Sequence, residues 1–151
     1  MSGNVVKVNH YSTTIANKAG EGARVLGALK DGGVNFIALW AYPSKPGQAQ
    51  LEMIPENGSA LVKAAKKAGL AVGKKQIAFF VNGEDRPGAV AESLAKLAAV
   101  EINAGAVQAV CAGAGRYGAI IFLPQKMSEK RRRLWGSRET LYSSRRISSG
   151  F

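Results

Sequence analysis

The spacing of apolar residues changes period several times along the chain. Val5–Ile15 carries β-formers at Val6, Val8, Tyr11 and Thr13 and reads as a strand. Gly20–Leu29 shifts to helical spacing, with Ala23, Leu26, Ala28 and Leu29 on one stripe, and Asp31-Gly32-Gly33 stops it. Asn35–Tyr42 is apolar almost throughout and reads as a second strand. Pro43–Gly47 is a run of turn residues and predicts a hairpin loop. In Gln48–Ile54, Ala49, Leu51 and Met53 alternate with Gln48, Gln50 and Glu52, so the polar face is expected to meet water. Asn57-Gly58-Ser59 opens a helix over Ala60–Ala68, Gly69 ends it, and Leu70–Val72 begins a fourth strand.

The pattern then recurs. Gln76–Val81 reads as a strand, and Pro87–Ala99 as a helix with Val90, Leu94, Leu97 and Val100 in a stripe. A strand over Asn103–Cys111, a hairpin at Ala112–Gly115 and a strand over Arg116–Leu123 follow. Gly20 and Gly88, Leu26 and Leu94, Leu29 and Leu97, Asn35 and Asn103, and Gly47 and Gly115 are each 68 residues apart. An internal repeat outranks local signals. The element order is β-α-β-β-α-β, the ferredoxin-like arrangement. The expected class is α+β: two ferredoxin-like βαββαβ units, antiparallel sheets with helices on one face. The expected domains are residues 5–72 and 73–125, the second lacking its last helix and strand. Sheets of this kind leave edge strands that seek partners, so a homodimer is expected.

Two turns sit at equivalent places before the first helix of each copy: Asn17-Lys18-Ala19-Gly20 and Asp85-Arg86-Pro87-Gly88. Pro87 suits a first helical turn, and Asp85 stands where a side-chain oxygen caps N–H groups. Unpaired N–H groups and the helix dipole favour an anion such as a carboxylate. Gly88 has no Cβ, so a ligand can approach the backbone closely. The plainer reading of both turns is a strand–helix junction.

Composition narrows the chemistry. With 151 residues and 46% hydrophobic content, the chain has material for one or two small cores. No apolar run reaches transmembrane length and no signal peptide is evident, so a cytoplasmic protein is expected. The single Cys111 lies in an apolar run and reads as a buried structural thiol. One His and one Cys make no metal cluster, and no cofactor is expected. His10 has no nucleophile partner in sequence and reads as a surface or internally satisfied histidine. Glu84 and Asp85 are adjacent and do not form a paired acid–base site.

With these residues in place, the chain resembles a tandem ACT-domain protein over roughly Val5–Pro124. The resemblance is carried by Glu84-Asp85-Arg86-Pro87-Gly88-Ala89-Val90-Ala91, then Leu94, Leu97 and Val100-Glu101-Ile102-Asn103. The first copy departs from the pattern at Ala19, where proline is usual, and matches it at Gly33-Val34-Asn35-Phe36. The resemblance implies a non-catalytic regulatory module that binds a small ligand, usually an amino acid, between paired domains. It carries the binding role to Asn17, Gly20, Asn35 and Phe36 in the first copy and to Asp85, Arg86, Gly88 and Asn103 in the second. Asn35 and Asn103 have amides that suit an ammonium and a carboxylate, and equally suit local capping. Many such modules serve an enzyme; here a separate regulated enzyme is the implied partner.

The net charge is +11. Eight of the 21 Lys/Arg and two of the 10 acids fall in residues 126–151, leaving a body of only +5. That basic, Ser-rich tail reads as a polybasic arm, as a disordered tail, or as an out-of-frame product. One permitted shifted reading, DVRKAAKALGI, falls in register with Lys63–Leu70 and restores the missing helix. The rival functional reading is an RNA-binding ferredoxin-like (RRM-type) domain with a basic C-terminal arm. Arg116–Phe122 and Phe79–Asn82 partly mimic its base-stacking strands, but Gln48–Ile54 has no aromatic. Nucleic acid is therefore not the expected partner, and neither is a membrane.

Overall fold

The computed structural model describes residues 4–124. In chain order the elements are β1 (Asn4–Ala16), α1 (Glu21–Asp31), β2 (Phe36–Lys45), β3 (Gln48–Pro55), α2 (Gly58–Lys67), β4 (Gln76–Glu84), α3 (Ala89–Ala98), β5 (Ala106–Gly113) and β6 (Arg116–Phe122). The expected tail readings, residues 126–151, lie outside the described residues.

The chain divides into two compact units. The first is Asn9–Gln76; the second comprises, of the described residues, 4–8 and 77–124. In the first unit the strand order is β2-β3-β1, with β3 antiparallel to both neighbours. In the second it is β1-β4-β6-β5, with β6 antiparallel to β4 and β5. The single strand β1 thus serves both units. Its first residues occupy the sheet position that a fourth strand of the second copy would take, where Val5 packs on that unit's core. The division differs in this respect from the boundary expected at 72/73.

Each core forms on one sheet face. Tyr11, Leu51 and Met53 from the strands meet Val25, Leu29, Leu61, Ala64 and Ala65 from α1 and α2. Phe79, Val81, Tyr117, Ala119 and Ile121 meet Leu97 of α3 and Ile102. Burying one such side chain is worth about 1.5–3 kcal/mol, so these apolar faces orient the helices. Phe79 and Tyr117, two aromatics of the RNA-like strand pattern, are inside this core.

The repeat extends to individual backbone bonds. Asn17 N–H donates to Gly47 O at 3.0 Å, and Asp85 N–H to Gly115 O at 2.8 Å. Arg24 N–H donates to Gly20 O and Glu92 N–H to Gly88 O, both at 3.0 Å. Val34 N–H reaches Leu29 O, and Ile102 N–H reaches Leu97 O, closing both helices the same way. All these positions keep the 68-residue offset.

Four local expectations are corrected. The hairpin loop expected over Pro43–Gly47 shortens to Pro46-Gly47, because β2 continues to Lys45 with a bulge after Pro43. Leu70–Val72 is not assigned as a strand. Gly69 (φ +67°) and Gly73 bound it, and its attachment to β1 is a Thr13 hydroxyl to Ala71 O at 2.6 Å and Gly73 N–H to Ser12 O at 2.8 Å. The helix expected from Pro87 starts at Ala89, because Gly88 adopts φ +85°. The strand expected from Asn103 starts at Ala106.

Candidate functional site

The two turns share an unusual helix entry. Gly20 and Gly88 are the N-cap residues of α1 and α3, both at φ +85°, and neither helix has a side-chain cap. α2 differs: its N-cap, Asn57, accepts a bond from Ala60 N–H at 3.0 Å. The left-handed conformation favours glycine at both turns. Among the described residues, a Cβ on either glycine would meet nothing within 4 Å, so no described side chain closes the space at that position. Among the described residues no side chain caps α1 or α3, and the first N–H groups bond to backbone instead: Glu21 N–H to Lys18 O at 3.3 Å and Ala89 N–H to Arg86 O at 3.2 Å.

Asp85 does not cap α3, as the sequence suggested. Its Oδ2 accepts instead from Cys111 Sγ at 2.9 Å. Cys111 is accordingly not a buried structural thiol: it is exposed on β5. The reason is register. Cys111 faces Tyr117 across β5–β6 beside the Glu84–Arg116 pair, where the chain leaves β4 toward Asp85. Arg86 forks onto Glu92 with bonds of 2.7 and 2.6 Å. That pairing keeps the Arg86 guanidinium charged and holds the Glu92 carboxyl below its usual range. In the first unit Arg24 grips Glu21 at 2.6 and 3.0 Å and lowers the Glu21 carboxyl likewise. Both acids lie in a first helical turn, where the helix dipole favours them.

The residues singled out from sequence form two separated groups within each unit. Asn17 and Gly20 stand beside Gly47, at the Gln48 end of β3. Asn35 and Phe36 stand at its Pro55 end, where Asn35 O accepts from Glu56 N–H at 3.0 Å. The eight residues of β3 put about 23 Å between them at ~3.3 Å per step. Asp85, Arg86 and Gly88 lie beyond the Glu84–Arg116 end of β6, and Asn103 lies before the Ala106–Phe122 end. Asn35 and Asn103 are exposed, and Phe36 packs against the first core. A spacing that looks like one site in sequence is thus two ends of a sheet.

A polar group on the other sheet face escaped the sequence reading. His10 is buried, and its Nε2 lies 2.6 Å from Glu52 Oε2. The Tyr42 hydroxyl donates to Glu52 Oε1 at 3.0 Å, and Trp40 stacks on His10 with centroids 5.9 Å apart. Glu52, expected to face water, is only 8% exposed. Its bond to Tyr42, with partial burial, raises the phenol above its ordinary range. At the 68-residue offset the second copy has Ala78, Gln108, Val110 and Ile120, so this network belongs to the first unit alone. Among the described residues there is no group of three or more metal-ligating side chains, and no helix is long and apolar enough to cross a membrane.

No protein-family model and no curated protein matches the chain. Solved structures do. Protein BT0572 from Bacteroides thetaiotaomicron superposes with a TM-score of 0.72 at 19% identity, over 89% of this chain and 90% of that one. The regulatory subunit of aspartate kinase from Thermus thermophilus, ligand-free, gives 0.55 at 17% identity, over 87% and 94%. A structure of aspartokinase alpha and beta subunits gives 0.51 at 14% identity, over 91% and 97%. With two α+β units related by a 68-residue repeat, the chain shares the fold of these structures, two ferredoxin-like units as the sequence led one to expect.

Proposed function

We propose that the chain is a non-catalytic regulatory protein of the cytoplasm that binds an amino acid or similar small metabolite, works as a homodimer and acts on a separate enzyme. The observation that carries the reading is the pair of open, side-chain-uncapped helix entries at Gly20 and Gly88. Such an entry offers directed N–H groups and a positive dipole end to a carboxylate. In the second unit Asp85, Arg86 and Gly88 surround it, with Cys111 and Glu92 beside them; Asn17 and Gly20 do so in the first. Asn35, Phe36 and Asn103 stand at the far sheet ends, away from these entries. The fold shared with an aspartate kinase regulatory subunit supports this direction. The RNA-binding alternative is weaker, since Phe79 and Tyr117 are enclosed in the core and do not offer stacking platforms.

A thermal-shift screen against amino acids, nucleotides and short RNA tests the proposal. A ligand at ~100 times its dissociation constant adds about 2.7 kcal/mol. Stabilisation by an amino acid is the expected result. Stabilisation by RNA alone would transfer the assignment to the RNA-binding reading.

A further inference from the structure

We propose that the exposed face of α2, with Lys63, Lys66 and Lys67 around Val62, is a docking surface for an acidic, partly apolar segment of a partner protein. The proposal rests on the reading that this chain acts on a separate protein, and is independent of the amino acid it binds.

Residues 57–75 hold Lys63, Lys66, Lys67, Lys74 and Lys75 and no acid. The body outside residues 126–151 has a net charge of +5, and these five lysines account for all of it. All five are exposed, and among the described residues no acid forms a salt bridge with any of them. Arg24 and Arg86, by contrast, each hold a carboxylate. Residues 126–151, with eight basic and two acidic side chains, bring no net counter-charge. α2 buries Leu61, Ala64 and Ala65 on the first core. Its other face carries Ser59, Val62, Lys63, Lys66 and Lys67 at three- and four-residue spacing, all exposed. The helix dipole accounts for Lys66 and Lys67, in the last turn. It does not account for Lys63, four residues before Lys67, where like charges weaken a helix. Val62 lies among these lysines and is 50% exposed.

These features select the occupant. Clustered cations without partners attract an anionic surface and speed its association. A nucleic acid is the poorer fit, because residues 57–75 have no arginine to fork onto phosphate and no aromatic to stack on a base. A bilayer needs a broad apolar face, and this one has a single valine. An exposed valine among lysines matches a protein segment in which acidic side chains flank an apolar one, the apolar centre and polar rim of a protein contact.

The test is fluorescence anisotropy of a labelled peptide with glutamates flanking a central leucine, titrated with the full chain at low salt. Lys63→Gln with Lys66→Gln should weaken binding by about threefold to tenfold, the sum of two exposed ion pairs. Lys63→Arg with Lys66→Arg, which keeps the charge, should restore it. Lys7→Gln with Lys45→Gln removes equal charge elsewhere and should leave the affinity within about twofold. Val62→Ser should also weaken binding, and an oligoglutamate without the leucine should bind less well than the peptide. Equal losses in the two glutamine pairs would reduce the effect to net charge and end the proposal. An indifferent Val62→Ser, or an oligoglutamate that binds as well, would end it too, as would no binding by wild type. Tighter binding to duplex DNA or to phosphatidylserine vesicles, lost with Lys63 and Lys66, would give the face to nucleic acid or membrane instead. Amino-acid stabilisation in the thermal-shift screen, present or absent, bears on the ligand reading alone.

Discussion

Gly88 allows the backbone and ligand roles of the second turn to be separated. Its φ of +85° lies in the left-handed region, and a Cβ placed there has nothing within 4 Å. Gly88→Ala should thus incur strain with no clash, about 1–2 kcal/mol for a left-handed non-glycine residue. Gly88→Val should exceed that, because β-branching crowds the same backbone. For a chain of 151 residues, each kcal/mol moves the melting temperature by roughly 2–4 °C. Gly88→Asn is the control: asparagine tolerates this conformation, so most of the stability should return. Its side chain nevertheless projects into the open approach to the turn. Differential scanning calorimetry reads stability, and isothermal titration with the stabilising amino acid reads binding. The expected pattern is that Ala and Val lower stability, Asn restores it, and all three weaken binding through the second turn. Val as stable as wild type would refute the strain argument. Full affinity in Gly88→Asn would refute the ligand's approach at this turn.

Gly27 lies within α1 with nothing within 4 Å of a built Cβ, so Gly27→Ala should raise stability by about 0.5–1 kcal/mol in urea titration. Glu52→Gln removes the charge that His10 and Tyr42 share and should lower stability by about 1–3 kcal/mol. The same variant should return the Tyr42 phenol toward its ordinary value, read as phenolate absorbance against a Tyr42→Phe blank. Because the folded value is raised, this bond's stabilisation is complete below the unfolded value and disappears as pH rises through the folded one. Cys111 should react with a thiol reagent at one equivalent per native chain; reaction only after denaturant is added would place it inside.

Much of the fold is legible in the chain because its signals are local. Apolar stripes at Leu26/Leu29 and Leu94/Leu97, stop signals at Gly33 and Gly69, and the 68-residue offset specify helices, strands and the repeat without reference to distant residues. Gly20 and Gly88 were also legible as special positions, though their left-handed geometry appears only in the folded turn. Tertiary structure alone decided the rest. Which copy receives residues 4–8 depends on a vacant sheet position about 70 residues away in sequence. Asp85 meets Cys111, and His10 meets Glu52, through strand registers 26 and 42 residues apart. Asn35 and Gly20 are close along the chain, yet α1 runs between them and carries them to opposite sheet ends. Periodicity reports which way a side chain faces within its own element; which distant side chains share that face is set by register, and register belongs to the assembled sheet.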